Sequence, residues 1–237
     1  MKQKRKAVLI TGATKRLGLA FTKQSLSMGY SVIAHYKTSA TPLITWLKRH
    51  PAYKNNVYFL HADLYKDSAS LVDSCSDFPV TLTGLINNAS VFSEGNIYNL
   101  DHLKTILSIN TAVPQMLSIR FSQKVRSGWI INITDANLSF NKKYQNYRFS
   151  KIVLTELTRQ HALLFAPTIR VNAIAPGAIL PPAHKDYAYF NLLKKRVPLK
   201  KNGDIESLLK AYTFLVENSC VTGQVLYIDN GLHLLNK

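Results

Sequence analysis

The chain has 237 residues, of which 46% are apolar, so it is long enough to bury one large core and we expect a single domain. Its net charge of +17 has two interpretations, a solvated lysine-rich surface or the attraction of anionic ligands. Two cysteines exclude a disulfide framework, and the seven histidines are scattered singly, so we expect no metal site.

Short apolar or β-branched runs alternate with longer helical patterns along the chain. This alternation predicts an α/β fold, namely a single-domain Rossmann-type doubly wound parallel sheet of about seven strands with helices on both faces. The predicted strands are Ala7–Ile10, Ser31–Ala34, Val57–Leu60, Leu82–Ile86, Trp129–Ile133, Ile169–Ala173 and Val225–Ile228. We expect one domain over residues 1–237, with a substrate lid in the irregular segment 178–203.

The location and the macromolecular partners follow from what the chain lacks. Ala7–Ile10 is too short for a signal-peptide core and no later run is long enough to span a bilayer, so we expect a cytoplasmic protein without a membrane partner. No Asp or Glu precedes Asp63, and a second basic run spans Lys194–Lys201. Neither basic region carries a nucleic-acid motif with interleaved aromatic residues, so nucleic acid is not an expected partner.

The first strand runs directly into the turn Thr11–Gly18, after which a helical pattern begins. A glycine-rich turn between a strand and a helix lets the backbone approach a pyrophosphate at the positive helix end, although an ordinary turn is the alternative. NAD-specific sites carry an acid after the second strand, whereas a 2′-phosphate needs basic or hydroxyl groups. The residues there are His35, Tyr36, Lys37, Thr38 and Ser39. The sequence therefore favours NADPH over NADH.

An acid, a phenol and an amine are spaced for one reaction centre. Asp135 lies twelve residues before Tyr147, which lies four before Lys151 in a run without Gly or Pro up to Pro167. Residues four apart share a helix face, and an adjacent ammonium favours the phenolate of a tyrosine. We therefore expect Tyr147 to exchange protons near neutral pH. A surface Tyr and Lys one turn apart is the alternative interpretation.

Five landmarks in this order make the chain resemble the short-chain dehydrogenase/reductases from about Lys6 to Gly231. They are Thr11–Gly18, Asp63-Leu64, Asn87-Asn88-Ala89, Asn110 with Tyr147 and Lys151, and Pro176-Gly177. The resemblance implies an oxidoreductase that is a tetramer or dimer built on the helix of Tyr147. The cofactor-binding residues expected from the turn and the resemblance are Gly12, Lys15, Arg16, Leu17, Gly18, His35, Tyr36, Lys37, Ser39, Asp63, Leu64, Asn87, Ala89, Ser90, Tyr147, Lys151, Pro176, Gly177 and Ile179.

Two departures from the general family pattern are informative. Asp135 stands where ketone reductases of the family have a serine, and an ionised carboxylate would repel the oxyanion that such a serine stabilises. Arg16 stands where the middle glycine of the turn is usual. In both positions the chain resembles the pteridine reductase branch, which includes bacterial dihydromonapterin reductases. That resemblance implies that Phe92 stacks on a pterin, and that Arg16 and Ser90 hydrogen-bond the pterin or the cofactor phosphates.

The leading hypothesis is an NADPH-dependent reductase of a ring C=N bond in dihydromonapterin, dihydrobiopterin or dihydrofolate. The expected catalytic residues are Asp135, Tyr147, Lys151 and Asn110. The family resemblance implies that Asn110 holds a water that links Lys151 to bulk solvent. The expected substrate-binding residues are Arg16, Ser90, Phe92, Asp135 and Tyr147. We further hypothesise that Lys194–Lys201 attracts the glutamate tail of a folate.

Three alternatives remain open. Thr134 lies thirteen residues before Tyr147, and a shift of one residue would place its hydroxyl at the centre. The chain would then be a carbonyl reductase acting on 3-oxoacyl or sugar substrates. Phe92 would be ordinary core packing in a second interpretation. In a third, the protein binds a polyanion on its basic surface and has lost catalysis, although the intact set of Asn110, Tyr147 and Lys151 argues against this.

Overall fold

The computed structural model describes residues 4–138, 143–180 and 194–235. All seven predicted strands are present, most of them longer than predicted: β1 Arg5–Ile10, β2 Ser31–Tyr36, β3 Val57–His61, β4 Val80–Asn87, β5 Gly128–Ile133, β6 Ile169–Pro176 and β7 Val225–Ile228. They form one sheet in the order β3-β2-β1-β4-β5-β6-β7, and every pair is parallel. The predicted fold class is confirmed.

Helices cover both faces of the sheet. They are α1 Arg16–Ser27, α2 Thr41–Arg49, α3 Leu64–Leu71, α4 Leu100–Leu107, α5 Val113–Lys124, α6 Gln145–Leu164 and α7 Ile205–Glu217. Apolar residues of α1, α2 and α7 pack with one face of the sheet, where Phe21 and Tyr212 are fully buried. Residues of α3, α5 and α6 pack on the other face around Leu117 and Phe121. Burial on both faces explains why the strands are nearly continuous apolar runs.

The long helix α6 carries the predicted catalytic pair on its buried face. Tyr147, Lys151, Leu154, Thr158 and Ala162 recur three or four residues apart and are all buried. This spacing places their side chains on one side of the helix, toward the sheet. The helix therefore presents a phenol and an amine to the end of β5.

The direction in which the chain adds strands reverses between β1 and β4. From β1 the chain continues to β2 and β3 on one side of the sheet, and β4 then begins the other side. In open α/β sheets, ligands bind in the crevice that such a reversal creates beyond the carboxyl ends of the strands. The turn after β1 and the loops after β4, β5 and β6 meet at this edge. The fold therefore brings the predicted landmarks to one place.

Some predictions concern features that the structure describes only in part. The predicted lid, residues 178–203, includes residues 181–193, which lie outside the described residues. Within the described ranges, no helix is long and apolar enough to cross a membrane. The same ranges contain no group of three or more His, Cys, Asp or Glu side chains placed to hold a metal ion. The cytoplasmic location stays a prediction.

Candidate active site

Two adjoining cavities occupy the crevice. The larger, of about 570 Å³, is lined by the predicted residues Gly12, Lys15, Arg16, Leu17, Gly18, His35, Tyr36, Lys37, Ser39, Asp63, Leu64, Ala89 and Ser90. The smaller, of about 270 Å³, is lined by the predicted residues Arg16, Leu17, Ser90, Phe92, Asp135, Tyr147, Lys151, Pro176, Gly177 and Ile179. Arg16, Leu17 and Ser90 line both cavities, so the two spaces meet at the turn after β1.

The glycine turn is shaped by close backbone approach. Gly12 has a φ of +65°, and a Cβ at Gly18 would collide with the Gly12 carbonyl. Arg16 has a φ of +52°, in the left-handed region that side chains other than glycine rarely adopt. The chain therefore keeps a glycine-like backbone at the middle position of the turn while it places a guanidinium there.

His35 stabilises this turn through a hydrogen bond between its side chain and the backbone. Its Nδ1 accepts a hydrogen bond from the Gly12 N–H at 3.1 Å, so Nε2 carries the proton and donates to the Ala62 carbonyl at 3.1 Å. Burial lowers the pKa of His35, which favours this neutral form. Both ring nitrogens are engaged by backbone groups, so His35 lines the cavity as a support for the turn.

Basic and hydroxyl groups gather at the far end of the larger cavity. The Lys37 ammonium lies 2.9 Å from the Asp63 carboxylate and holds the pKa of that carboxyl below its usual range. Asp63 also caps α3, since it accepts from the Tyr65 N–H at 3.1 Å. The Thr14 hydroxyl donates to the Ser39 carbonyl at 2.7 Å and ties this segment to the glycine turn. Thr14 was not singled out from the sequence, where nothing distinguishes it from other turn residues.

The end of β4 is joined to the turn by Asn88, which belongs to a predicted landmark but whose side chain was given no role from the sequence. Its amide donates to the carbonyls of Thr11 at 2.8 Å and Gly12 at 3.2 Å, and its backbone N–H donates to the Thr11 hydroxyl at 2.9 Å. Asn87 points away from both cavities and donates to Ser118 and Asn132. The sequence alone does not distinguish the roles of these two adjacent asparagines. In the structure their side chains point in opposite directions, as successive side chains along a strand do.

Asp135, Tyr147 and Lys151 meet at the wall of the smaller cavity. The Tyr147 hydroxyl donates to Asp135 Oδ2 at 2.9 Å, and the Asn137 N–H donates to Oδ1 at 2.7 Å. The Lys151 ammonium donates to the Ile133 carbonyl at 2.8 Å and lies 5.7 Å from the centre of the Tyr147 ring. The acid and the phenol are therefore in direct contact, while the amine lies beside the ring.

The electrostatics of this group correct one expectation. We predicted that Lys151 would lower the pKa of Tyr147, but burial and then the Asp135 carboxylate raise it well above 10. Burial also raises the pKa of Asp135, against the opposing hydrogen bonds from Asn137 and Tyr147. Burial lowers the pKa of Lys151 to about 8. The phenol therefore stays protonated, and the carboxyl is the group whose proton affinity is raised toward neutral pH.

Thr134 does not take the place of Asp135 in the structure. Its hydroxyl donates to the Ile174 carbonyl on β6 at 3.2 Å, and its backbone N–H donates to the same oxygen at 2.9 Å. The residue is buried, although it lines part of the smaller cavity. The side chain in contact with the Tyr147 hydroxyl is thus Asp135.

Asn110 lies behind the cavity wall, in a single π-helical turn, Ser108–Ala112, between α4 and α5. Its Oδ1 accepts from the Val91 N–H at 2.8 Å and the Ser90 hydroxyl at 3.2 Å. Its Nδ2 donates to the Val91 carbonyl at 2.9 Å and the Ser150 hydroxyl at 3.1 Å. Both acceptor sites and both donor hydrogens of the Asn110 side-chain amide are therefore in use. The water expected at Asn110, which stays a prediction, would have to bind the backbone carbonyl of Asn110.

Phe92 is 58% exposed, which excludes the interpretation as core packing. Its ring stacks on Tyr144, with centroids 4.6 Å apart and an angle of 11° between the planes. The centre of the Tyr147 ring lies 4.7 Å from the centre of the Phe92 ring, with an angle of 87° between the two planes. Tyr144 in turn donates from its hydroxyl to Glu94 at 3.2 Å. Tyr144 is a support for Phe92 that no sequence pattern indicated, because the two residues are far apart in the chain.

Comparison with known proteins places the chain in a family. A family described as enoyl-(acyl carrier protein) reductase matches residues 12–233. A dihydromonapterin reductase of Shigella sonnei is 27% identical over 96% of each chain, and pteridine reductase 1 of Leishmania tarentolae is 28% identical over 95% of this chain and 96% of its own. The crystal structure of FolM alternative dihydrofolate reductase 1 from Brucella suis, in complex with NADP, is 29% identical with a TM-score of 0.90, over 96% of this chain and 95% of that one. The chain belongs to the short-chain dehydrogenase/reductase family of oxidoreductases.

Proposed function

We propose that the protein is an NADPH-dependent reductase that acts on the ring C=N bond of a dihydropterin or dihydrofolate. The observation that carries this proposal is the buried Asp135 carboxyl in hydrogen-bond contact with the Tyr147 hydroxyl. A carboxylic acid can give its proton to a ring nitrogen, whereas in its ionised form it would repel the oxyanion that develops when a ketone is reduced. The names of the relatives, which refer to dihydromonapterin, pteridine and dihydrofolate reduction, support the same substrate class.

The residues that line the larger cavity are suited to bind NADPH. The glycine turn lines the larger cavity at the start of α1, where backbone N–H groups can bind a pyrophosphate. Lys37 and Ser39 line the far end, where a 2′-phosphate needs a cation and a hydroxyl. The strand before them ends without an acidic residue that would repel that phosphate. NADPH, when bound, supplies the hydride.

The residues of the smaller cavity would hold the substrate and a proton. Phe92 offers exposed aromatic surface for a planar heterocycle, with the Arg16 guanidinium beside it as a donor and the Ser90 hydroxyl oxygen as an acceptor. The raised proton affinities of Asp135 and Tyr147 keep a proton in the pair. Lys151 adds a buried positive charge that stabilises the pair when that proton leaves. In this arrangement Asp135 is the proton source and Tyr147 positions or relays the proton.

A panel of substrates tests the proposal. The purified protein with NADPH is assayed by the loss of NADPH absorbance on dihydromonapterin, dihydrobiopterin and dihydrofolate, and on 3-oxoacyl and enoyl thioesters. We expect turnover of the pterin group and none of the thioesters. The reverse result would show that the carbonyl or enoyl chemistry of other family members applies. A Tyr147→Phe variant should lose most of the activity, and full retention would show that the catalytic assignment is wrong.

The assembly is a separate part of the proposal. We expect a homo-oligomer, a tetramer or a dimer, built on α6, because Phe149 and Ile152 on that helix expose 48% and 46% of their surface. Exposed apolar residues on one helix face are typical of a subunit interface. Light scattering on the purified protein measures the assembly state. A Phe149→Glu/Ile152→Glu variant should shift it toward the monomer.

A further inference from the structure

We propose that the basic segment, residues 194–201, forms a subsite for the glutamate tail of a folate substrate. This inference rests on the proposed function and narrows it, because it selects folates with several carboxylates over pterins that carry none. The observations behind it are the charge of the segment, its attachment beside the smaller cavity and the size of that cavity.

The basic segment concentrates positive charge without local compensation. It contains Lys194, Lys195, Arg196, Lys200 and Lys201, and every residue in it except Val197 is exposed. The nearest acid in sequence is Asp204, which caps α7 by accepting from the Ser207 N–H at 2.6 Å. Within the part of the chain that the structure describes, none of the five cations forms an ion pair. Their charge is therefore available to an anionic ligand.

Hydrogen bonds fix the backbone of the segment. The Lys200 ammonium donates to the Lys195 carbonyl at 2.9 Å and closes the segment on itself. The Leu199 N–H donates to the Asn230 carbonyl at 3.2 Å, and the Asn230 amide donates to the Lys201 carbonyl at 3.0 Å. The cations are thus presented by an anchored loop, which lowers the entropic cost of binding an anion.

The same loop continues onto the wall of the smaller cavity. Gly203 packs so closely on Ile179 that a Cβ there would lie 2.7 Å from Ile179 Cδ1. Ile179 lines the smaller cavity together with Pro176 and Gly177. Gly177 packs in the same way on Asp229, one residue before the Asn230 that binds the segment. The backbone of the basic segment is therefore anchored, through Gly203 and Asn230, to residues that form or adjoin the wall of the smaller cavity.

The size of the cavity separates the ring of a folate from its tail. A volume of about 270 Å³ is below the range of pockets that enclose drug-sized ligands, which begins at roughly 300 Å³, so it suits a bicyclic ring alone. The aminobenzoyl group of a folate then carries its glutamates to the cavity rim. Exposed ion pairs are individually weak, so binding through them should grow with the number of carboxylates and fall with added salt.

A pair of matched double variants tests the inference. Lys195→Gln/Arg196→Gln removes two cations of the segment, and Lys48→Gln/Arg49→Gln removes the same two residue types at the end of α2, which lines neither cavity. We expect the first variant to raise KM for dihydropteroyl triglutamate about three- to tenfold at low salt, with a smaller rise for the monoglutamate. The KM for dihydromonapterin and for NADPH, and kcat for all substrates, should change by less than about twofold.

The outcomes separate this inference from the proposed function. An unchanged KM ratio of triglutamate to dihydromonapterin, an equal effect in the Lys48→Gln/Arg49→Gln variant, or a rise in the KM for NADPH would overturn the subsite. A selective rise that disappears at high salt would establish it. If the unmodified protein reduces dihydromonapterin, a negative result removes the subsite alone. If it reduces no pterin and no folate, the proposed function fails and the subsite fails with it.

Discussion

Asp135 determines which chemistry the candidate site suits, because it replaces a neutral donor with an acid. In Asp135→Asn the one amide oxygen can keep the hydrogen bond from the Tyr147 hydroxyl only by giving up the bond from the Asn137 N–H, and the titrating proton is lost. We expect kcat for dihydropterin to fall by about 10²-fold or more, a magnitude typical of lost general acid catalysis. In the unmodified protein, kcat should fall as pH rises through the elevated pKa of Asp135. The variant should lack that limb of the pH profile.

Thr134→Val is the control for this prediction. The Thr134 hydroxyl is bound to Ile174, so its removal should leave the pH profile intact and lower kcat by less than about tenfold, within the effect of one buried hydrogen bond. If Thr134→Val abolished activity while Asp135→Asn did not, the hydroxyl would be the reacting group. The carbonyl reductase alternative would then apply.

Arg16 combines backbone strain with a charge at the junction of the two cavities. Arg16→Gly removes the guanidinium and relieves a left-handed φ that costs about 1–2 kcal/mol. Glycine also makes the unfolded chain more flexible, which lowers the stability of the folded protein by about 0.4–1 kcal/mol. Arg16→Ala removes the guanidinium but keeps the strain. The Gly variant should therefore have the higher free energy of unfolding of the two, in urea titrations.

Both Arg16 variants should bind NADPH more weakly to a similar extent, as measured by fluorescence titration. Equal binding by both variants would show that affinity depends on the side chain, whereas stability depends on the backbone. A Gly variant that bound NADPH as tightly as the unmodified protein would contradict a role for the guanidinium in the site.

At the level of single residues, the sequence predicted the residues that line the two cavities better than the residues that hold those walls in place. Residues such as Gly18 and Tyr147 were identified because motifs place them directly at a ligand. The roles of His35, Asn88 and Tyr144 became visible only in three dimensions, because each depends on a partner from another loop. The same is true of the pKa of Tyr147, which burial controls and spacing does not reveal.

At the level of elements, the strands were predicted because parallel strands buried on both faces are apolar throughout. Their ends were missed where polar residues or proline continue the pairing. The strand β4 runs on to Asn87, and β6 runs on to Pro176, which pairs with Ile228 at the edge of the crevice. The π-helical turn at Asn110 was not predicted, since its sequence has no breaker residue. Irregular backbone of this kind depends on packing between helices.

One arginine joins β6 to the last helix. The Arg170 guanidinium donates to the carbonyls of Leu215 at 2.7 Å, Val216 at 2.9 Å and Val221 at 3.1 Å. The first two belong to the last turn of α7, where carbonyls have no partner within the helix. Arg170→Met should therefore lower the free energy of unfolding by about 2–4 kcal/mol in urea titrations.

The matched control is Arg159→Met on α6. Arg159 is exposed and pairs with Glu156 at 3.2 Å, so its loss should cost less than about 0.5 kcal/mol. Similar losses in the two variants would mean that Arg170 acts as an ordinary surface charge and not as the cap of α7.

At the level of the whole molecule, two buried histidines link folding to pH. Burial lowers the pKa of both His35 and His161. The unfolded chain therefore binds these protons at a higher pH than the folded one, with an unfolded pKa of about 6.5. Their contribution to stability is complete above that value and is lost as pH falls through 6.5 toward the depressed pKa values of the folded state. The free energy of unfolding should consequently decrease from pH 7 to pH 5.

His161→Leu isolates one of the two contributions. The Nδ1 of His161 is buried and has no hydrogen-bond partner within the described chain, so leucine removes an unsatisfied polar atom and a titrating group together. We expect a smaller loss of stability between pH 7 and pH 5, and a free energy of unfolding at pH 7 that is equal or up to about 1 kcal/mol higher. Urea titrations at both pH values, repeated in high salt, separate this effect from repulsion among the excess positive charges, which salt screens. High salt screens the surface charges but not the buried imidazole ring of His161. If the variant and the unmodified protein lose stability equally steeply between pH 7 and pH 5 in high salt, His161 does not contribute to the pH dependence.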